Sequence, residues 1–451
     1  MNKNDDSKLD RRQFLTEAGL GAALLSVSPS VALAAERKIN FAGIGVGSQG
    51  GSDVDQVIAA GGNLIALCDV DHKYAAKKFE QYPNAKKFKD YRVMIKELGK
   101  ELDAVVIGTP DHTHAVIAME AIRNGKHVYC EKPLAHSIHE VQTLMAAARK
   151  HKVVTQLGNQ GHSTDSIRRV VEWVGAGAIG QVHTVHAACG EFKDVYSQIR
   201  NLDKLEQKYE VPSELDYDLW LGPVPFRPYA PFWVHWNWRG WLPFGTGTIG
   251  DWFCHVIDPA FWALDLDAPT TVHAETPGYD PATQGLTYPS ATKITFEFPA
   301  KAGRGPVTLV WHDGDNAIPK PANFGDDEVP RTGAILFGEK GMIVHGSHGG
   351  GGCHILPEKL RNENTGSNAP KETIPRVKGH HWDWLEAIRT GRQAGSNFDY
   401  GGRLTQVALL GAIAIRFPGQ TLKWDSKAVR FTNNNAANAY IAPPYRKGWK
   451  L

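Results

Sequence analysis

Apolar and polar positions alternate along this chain in two different rhythms. From residue 38 to about 157, short apolar runs predict strands over 39–43, 64–69, 104–108, 127–130 and 153–157. Stretches of helical periodicity lie between them, over 53–60, 74–81, 91–98, 114–124 and 139–151. Regular strand–helix alternation is the pattern of a parallel, doubly wound sheet. After residue 158 the rhythm changes. Alternating stretches over 181–188, 271–275, 291–298, 307–311 and 333–338 predict strands of a mostly antiparallel sheet, solvated or paired on one face. Helix-like stretches follow over 381–390 and 402–416, the second strongly apolar and expected to pack on that sheet. A chain of 451 residues is too long for one core, so at least two domains are expected.

The first strand runs into Gly45-Val46-Gly47-Ser48-Gln49-Gly50. In a strand–turn–helix unit, Gly45 allows the tight turn and Gly47 lets backbone approach a pyrophosphate. Gly50 lets the helix pack close, with its N-terminal N–H groups facing the anion. The second strand ends in Asp69, nineteen residues after Gly50. A carboxylate at about that distance suits the ribose hydroxyls of NAD. Asp69 favours NAD over NADP, because it would repel a 2′-phosphate; Lys73, Lys77 and Lys78 keep NADP open.

Ligands of such sheets sit at the carboxyl ends of strands, so the loops after Gly108 and Cys130 are candidates for the chemistry. The first reads Thr109-Pro110-Asp111-His112-Thr113-His114 and the second Glu131-Lys132-Pro133. A lysine fixed before a proline, beside a positively charged nicotinamide, would have a lowered pKa and could polarise a substrate hydroxyl. An ordinary exposed loop lysine also fits the position.

Together the glycine loop, Asp69, the 109–114 loop and Glu131-Lys132-Pro133 resemble the Gfo/Idh/MocA oxidoreductases, a family that includes glucose–fructose oxidoreductase and inositol dehydrogenase. The resemblance implies an α/β fold: an N-terminal Rossmann doubly wound parallel sheet, over 35–160, plus a C-terminal α/β domain with a large, mostly antiparallel sheet, over 161–451. It also implies a catalytic Lys132. The candidate nucleotide-binding residues are Gly45, Gly47, Ser48, Gln49, Gly50, Asp69, Thr109, Pro110, His112, His114, Glu131, Lys132 and Gln160.

Further on, Asp251 and His255 follow a glycine-rich turn and stand four residues apart, so a helix would place them on one face. Histidine is a natural acceptor for a hydroxyl proton, and a carboxylate would orient it. A helix cap and a buried, hydrogen-bonded histidine fit the same spacing. The pattern matches the family's second catalytic signature and completes a Lys132/Asp251/His255 set. Arg239 matches an arginine common in relatives and, with Trp238, is expected near substrate. Aromatic residues crowd 226–241, suiting sugar faces or equally a core or subunit interface.

The remaining composition narrows the class. The net charge of +2 shows no basic stripe for nucleic acid, and no apolar run reaches membrane-span length. Asp10-Arg11-Arg12-Gln13-Phe14-Leu15, an apolar run and Ala32-Leu33-Ala34 resemble a twin-arginine export leader over 1–34. This predicts a periplasmic or secreted protein carrying a tightly held nucleotide. Five scattered cysteines form no disulfide framework. His345, His348, Cys353 and His354 lack zinc-motif spacing, so no metal is expected.

The expected function is hydride transfer between NAD and a sugar, glycoside or polyol, with a homodimer or homotetramer implied by the family's open second sheet. An NAD-dependent glycoside hydrolase or lyase is the alternative. The cysteine-containing stretch of the NAD-dependent glycosidases is not matched, since the equivalent region reads Leu157-Gly158-Asn159-Gln160-Gly161-His162. A non-catalytic nucleotide sensor is disfavoured by the intact lysine–aspartate–histidine set.

Overall fold

The computed structural model describes residues 38–451. The export-leader reading falls on residues 1–34, outside the described residues. The first sheet is built from β1 (Asn40–Ile44), β2 (Asn63–Cys68), β3 (Lys86–Phe88), β4 (Ala104–Ile107), β5 (His127–Cys130) and β6 (Thr155–Leu157). Its order is β3-β2-β1-β4-β5-β6, and every pairing is parallel. The chain reverses direction across the sheet between β1 and β4, which opens a crevice at their carboxyl ends.

Five helices connect these strands: α1 (Gln49–Ala59), α2 (Ala76–Gln81), α3 (Tyr91–Leu98), α4 (Asp111–Arg123) and α5 (Ile138–His151). Helix α1 starts four residues before the periodicity predicts, because Gly50 and Gly51 carry no apolar signal. Strand β3 was invisible to pattern, being three residues of edge strand that read Lys-Lys-Phe. Central β4 is buried on both faces, as its uninterrupted apolar run requires.

The second sheet has nine strands in the order β13-β12-β11-β7-β10-β9-β8-β14-β15. These are β7 (Val182–Cys189), β8 (Thr271–Glu275), β9 (Thr292–Phe298), β10 (Val307–Asp313), β11 (Thr332–Gly338), β12 (Met342–Gly346), β13 (His354–Leu356), β14 (Thr421–Asp425) and β15 (Arg430–Phe431). Only β7 and β10 pair in parallel. After α6 (Asp165–Gly175) come α7 (Gly247–Val256), α8 (His380–Thr390) and α9 (Phe398–Ala414). Helices α7 and α9 pack on each other, and α9 also packs on β8.

One continuous core joins the two sheets, running from Ile44 and Val105 through Phe253 and Ile257 to Phe296 and Leu409. Helix α8 has a different role from its neighbours. Its Trp384, Leu385 and Ala387 pack with Phe41, Val54 and Val57 of the first sheet layer. A late segment of the chain therefore finishes a face of the first sheet, which no local pattern encodes.

Candidate active site

The glycine loop is built for close approach. Gly45 has φ +76°, and a Cβ there would lie 2.6 Å from Thr109 Cγ2. A Cβ on Gly50 would lie 2.2 Å from the Gly45 carbonyl oxygen, so only glycine lets α1 start this near β1. At the head of α1, Ser48 makes no side-chain cap bond, and the first turn holds no acidic residue. The helix N-terminus is thus left to an external anion. It opens on a cavity lined by Gly45, Gly47, Ser48, Gln49, Asp69, Thr109, Pro110, His114, Glu131 and Lys132. An uncapped helix start and glycine backbone lining a cavity at the sheet crevice fit a dinucleotide.

Asp69 faces this cavity but already has partners. Its Oδ2 accepts from the backbone N–H of Val46 (2.8 Å) and Gly47 (3.2 Å), and its Oδ1 from that of Asp71 (3.0 Å). The carboxylate therefore also fixes the shape of the glycine loop. The lysines that kept NADP open are turned elsewhere: Lys78 pairs with Asp55, and Lys73 lies 3.6 Å from Glu214. Lys77 is likewise absent from the cavity lining.

The lysine predicted on β5's loop meets the aspartate predicted on α7. Lys132 Nζ donates to Asp251 Oδ1, while Tyr196 Oη and Arg239 Nε (3.1 Å) donate to Oδ2. All four side chains are nearly sealed from solvent, at 12% exposure for Lys132 and Arg239, 10% for Asp251 and 2% for Tyr196. The Arg239 guanidinium lies 4.0 and 4.2 Å from the ring centroids of Trp236 and Trp238.

Charge decides the protonation states here. Burial favours a neutral Lys132, but the charges of Asp251 and Glu131 outweigh it and raise the amine above its ordinary value. This corrects the expectation of a lowered lysine pKa: Lys132 is a permanent cation, suited to donating a hydrogen bond. Burial likewise raises Asp251, and Lys132 and Arg239 reverse it, holding the carboxyl well below the usual range. Burial pushes His255 far down, and the charge of Lys132 adds to it, so the imidazole is neutral.

Asp251 makes no hydrogen bond to His255; its oxygens are taken by Lys132, Tyr196 and Arg239. His255 Nδ1 is buried without a partner. The His255 ring is instead positioned by stacking on His348, with centroids 4.2 Å apart, and by the edge of Trp252. The helical spacing put Asp251 and His255 on one face, as expected, but not in contact. Tyr196 and His348, which no motif marks, also enter the site: Tyr196 through Asp251 and His348 against His255.

Other predicted residues are spread through the surroundings. Gln160 donates to Glu131 Oε1 (2.7 Å), Tyr129 Oη (3.0 Å) and Asp53 Oδ1 (3.4 Å). It is a brace behind Glu131 and does not line the cavity. Burial pushes Asp53 up to about 7 and, with the charge of Asp53 adding to it, raises Glu131 strongly. His112 does not line the cavity either. Its Nε2 sits 2.8 Å from the Trp220 carbonyl oxygen and its Nδ1 3.2 Å from that of Phe244, tying α4 to the second half of the chain. His114 does reach the cavity, yet its ring nitrogens are 2.8 Å from the carbonyls of Pro133 and Thr109. It ties together the two loops that the sequence singles out. Asp111 is buried against Thr246, which donates both N–H (3.1 Å) and Oγ1 (2.6 Å) to Oδ2.

Comparison with known proteins agrees with this geometry. Residues 39–159 match the oxidoreductase-family NAD-binding Rossmann fold of Gfo/Idh/MocA proteins. Residues 161–298 and 358–451 match that family's C-terminal alpha/beta domain. The chain belongs to the Gfo/Idh/MocA oxidoreductase family. It is 28% identical over 147 residues to inositol 2-dehydrogenase of Salmonella typhimurium, covering 32% of this chain and 43% of that one. It is 27% identical over 225 residues to a glycosyl hydrolase family 109 protein of Shewanella pealeana, covering 44% and 49%. The chain thus spans less than half the length of these curated relatives. A solved levoglucosan dehydrogenase, in complex with NADH and levoglucosan, has the same fold, with TM-score 0.57 and 18% identity over 86% of this chain and 99% of that one.

Proposed function

We propose that this oxidoreductase transfers hydride between NAD and a hydroxyl-bearing carbon of a sugar, glycoside or polyol. The observation that carries the reading is that Lys132 and Arg239, which both line the glycine-loop cavity, meet on Asp251; Asp251 and His255 are not part of the cavity lining, and the neutral His255 lies close enough to feel the charge of Lys132. Two relatives or neighbours of the chain are named for inositol and levoglucosan, both polyhydroxylated rings.

The cofactor, when bound, supplies the hydride acceptor; the chain supplies everything else. Ser48, Gln49 and the head of α1 would hold the pyrophosphate, and Asp69 would repel a 2′-phosphate. Lys132, kept cationic chiefly by Asp251, would donate a hydrogen bond to the substrate oxygen and stabilise the alkoxide that forms. His255, neutral and near Lys132, would take the hydroxyl proton. Asp251 holds the Lys132 amine in place, and Tyr196 and Arg239 hold Asp251. The leader reading extends the proposal to an exported enzyme that keeps its nucleotide while cycling between oxidised and reduced substrates.

A test is to denature the protein purified from its native compartment and assay the released nucleotide. A panel of sugars, glycosides and polyols is then followed at the nicotinamide absorbance and by product mass. NAD release and absorbance change with at least one substrate are expected. Absence of both sinks the reading. Cleavage of a glycoside with no net nicotinamide change would favour the second reading, a transient-oxidation glycosidase, which the family 109 match supports.

A further inference from the structure

One wall of the nucleotide cavity comes from the far end of the chain. Opposite Lys132, at the carboxyl ends of β2 and β3, the cavity is bounded by Val70, Tyr91 and Ile117 of the first half. Trp220 and Trp449 close it from the second. This end is dominated by aromatic and aliphatic side chains, and its Asp90 carboxylate is engaged by Arg92. Its one lysine, Lys89, is turned to the Glu214 carbonyl oxygen.

Trp449 is held there by tethers before and after it. Its ring centroid lies 5.0 Å from the Arg92 guanidinium and 5.7 Å from that of Arg446. Arg92 is fixed by Asp90, with Nη2 to Oδ2 at 2.7 Å. Arg446 donates to the Gly222 carbonyl (2.6 Å) and the Asp218 carbonyl (2.7 Å) and pairs with the Asp218 carboxylate. Just upstream Tyr445 bonds to Glu140, and downstream Arg123 donates to the Leu451 carbonyl (2.9 Å). A segment that only trailed over the surface would not need so many anchors around one half-buried indole.

We infer that Trp449 is part of the nucleotide site: it covers the adenine base, and residues 445–451 are a clasp that slows release of the dinucleotide. The inference rests on the NAD reading above. The chemistry of this end selects a flat apolar ring over a phosphate, since the cavity places its anion-binding helix start and its cationic lysine elsewhere. The clasp also gives the exported enzyme a means of keeping its nucleotide.

The test uses nucleotide-free full-length protein titrated by calorimetry with NAD, AMP and nicotinamide mononucleotide, together with a chase that measures NAD release. Trp449→Ala should weaken NAD and AMP by about ten- to a hundred-fold, the usual size of one lost base–aromatic stack. It should leave nicotinamide mononucleotide unchanged, and Trp449→Phe should restore most of the loss. Arg446→Ala, which leaves the indole in place but frees the tail, should speed NAD release and so tests the clasp if Trp449→Ala folds poorly. Wild-type affinity for AMP and NAD in Trp449→Ala, with wild-type release in Arg446→Ala, overturns the clasp alone. A wild-type protein that binds neither nucleotide overturns the NAD reading and the clasp with it.

Discussion

Replacing Asp251 by asparagine removes the negative charge that Lys132 and Arg239 share. Both cations are nearly buried, at 12% exposure each, so neither gains water when its partner goes. Breaking a buried ion pair by deleting one partner costs about 3–5 kcal/mol, mostly from the charge left behind. The sign with pH follows from Lys132. In the wild-type protein its pKa is raised, so its contribution to stability is present below the ordinary lysine value and lost as pH rises through the folded one. In Asp251→Asn, burial and Arg239 face weaker opposition, and the folded pKa drops below the ordinary value. The cost of the cation is then recovered as pH rises through that lower value. Urea denaturation should therefore show a deficit of about 3–5 kcal/mol near pH 7 that narrows toward about pH 10. A deficit under about 1 kcal/mol, or one that does not change with pH, would refute the claim that Asp251 neutralises Lys132 in a dry site.

Lys132→Met should lower turnover by about a hundred- to a thousand-fold or more, with NAD affinity retained in calorimetry, because it removes a donor to the developing alkoxide. Gly50→Ala should weaken NAD about tenfold or more in the same assay, since its Cβ would sit 2.2 Å from the Gly45 carbonyl and push α1 away from the loop. Asp111, raised by burial to about 7, binds its proton more tightly folded than unfolded, so it stabilises at low pH and loses that contribution as pH rises toward 7. Asp111→Asn should thus gain thermal stability relative to wild type as pH increases from about 5 to about 8; a pH-independent difference contradicts this.

Local signals carried the first half of the chain. The five strands predicted there lie within a residue or two of β1, β2, β4, β5 and β6, because buried parallel strands are continuous apolar runs between helices. The glycine loop and the Glu131-Lys132-Pro133 turn were legible for the same reason: each is a short segment whose chemistry requires those residue types. What sequence could not supply was partnership across distance. The i, i+4 spacing of Asp251 and His255 suggested that they pair, yet the Lys132 amine, 119 residues away, took the carboxylate. Tyr196 and His348 enter the site from segments without any motif. His112 resembled a cofactor residue from its loop, but burial against Trp220 and Phe244 made it a joint between layers. Strands β13 and β15, of three and two residues, are too short to show a period, and nothing in the pattern marked the five-residue β12 and β14.

The central claim is that Lys132, Asp251 and His255 serve hydride exchange with a bound nicotinamide. Its most direct test is a stopped-flow record of the NAD-loaded protein mixed with each member of a polyol and sugar panel, for wild type and Lys132→Met. The account predicts a rise in reduced-nicotinamide absorbance in wild type with at least one substrate, and a severe slowing of that rise in the variant. Equal rates in the two proteins, or no reduction in wild type across the panel, would contradict it.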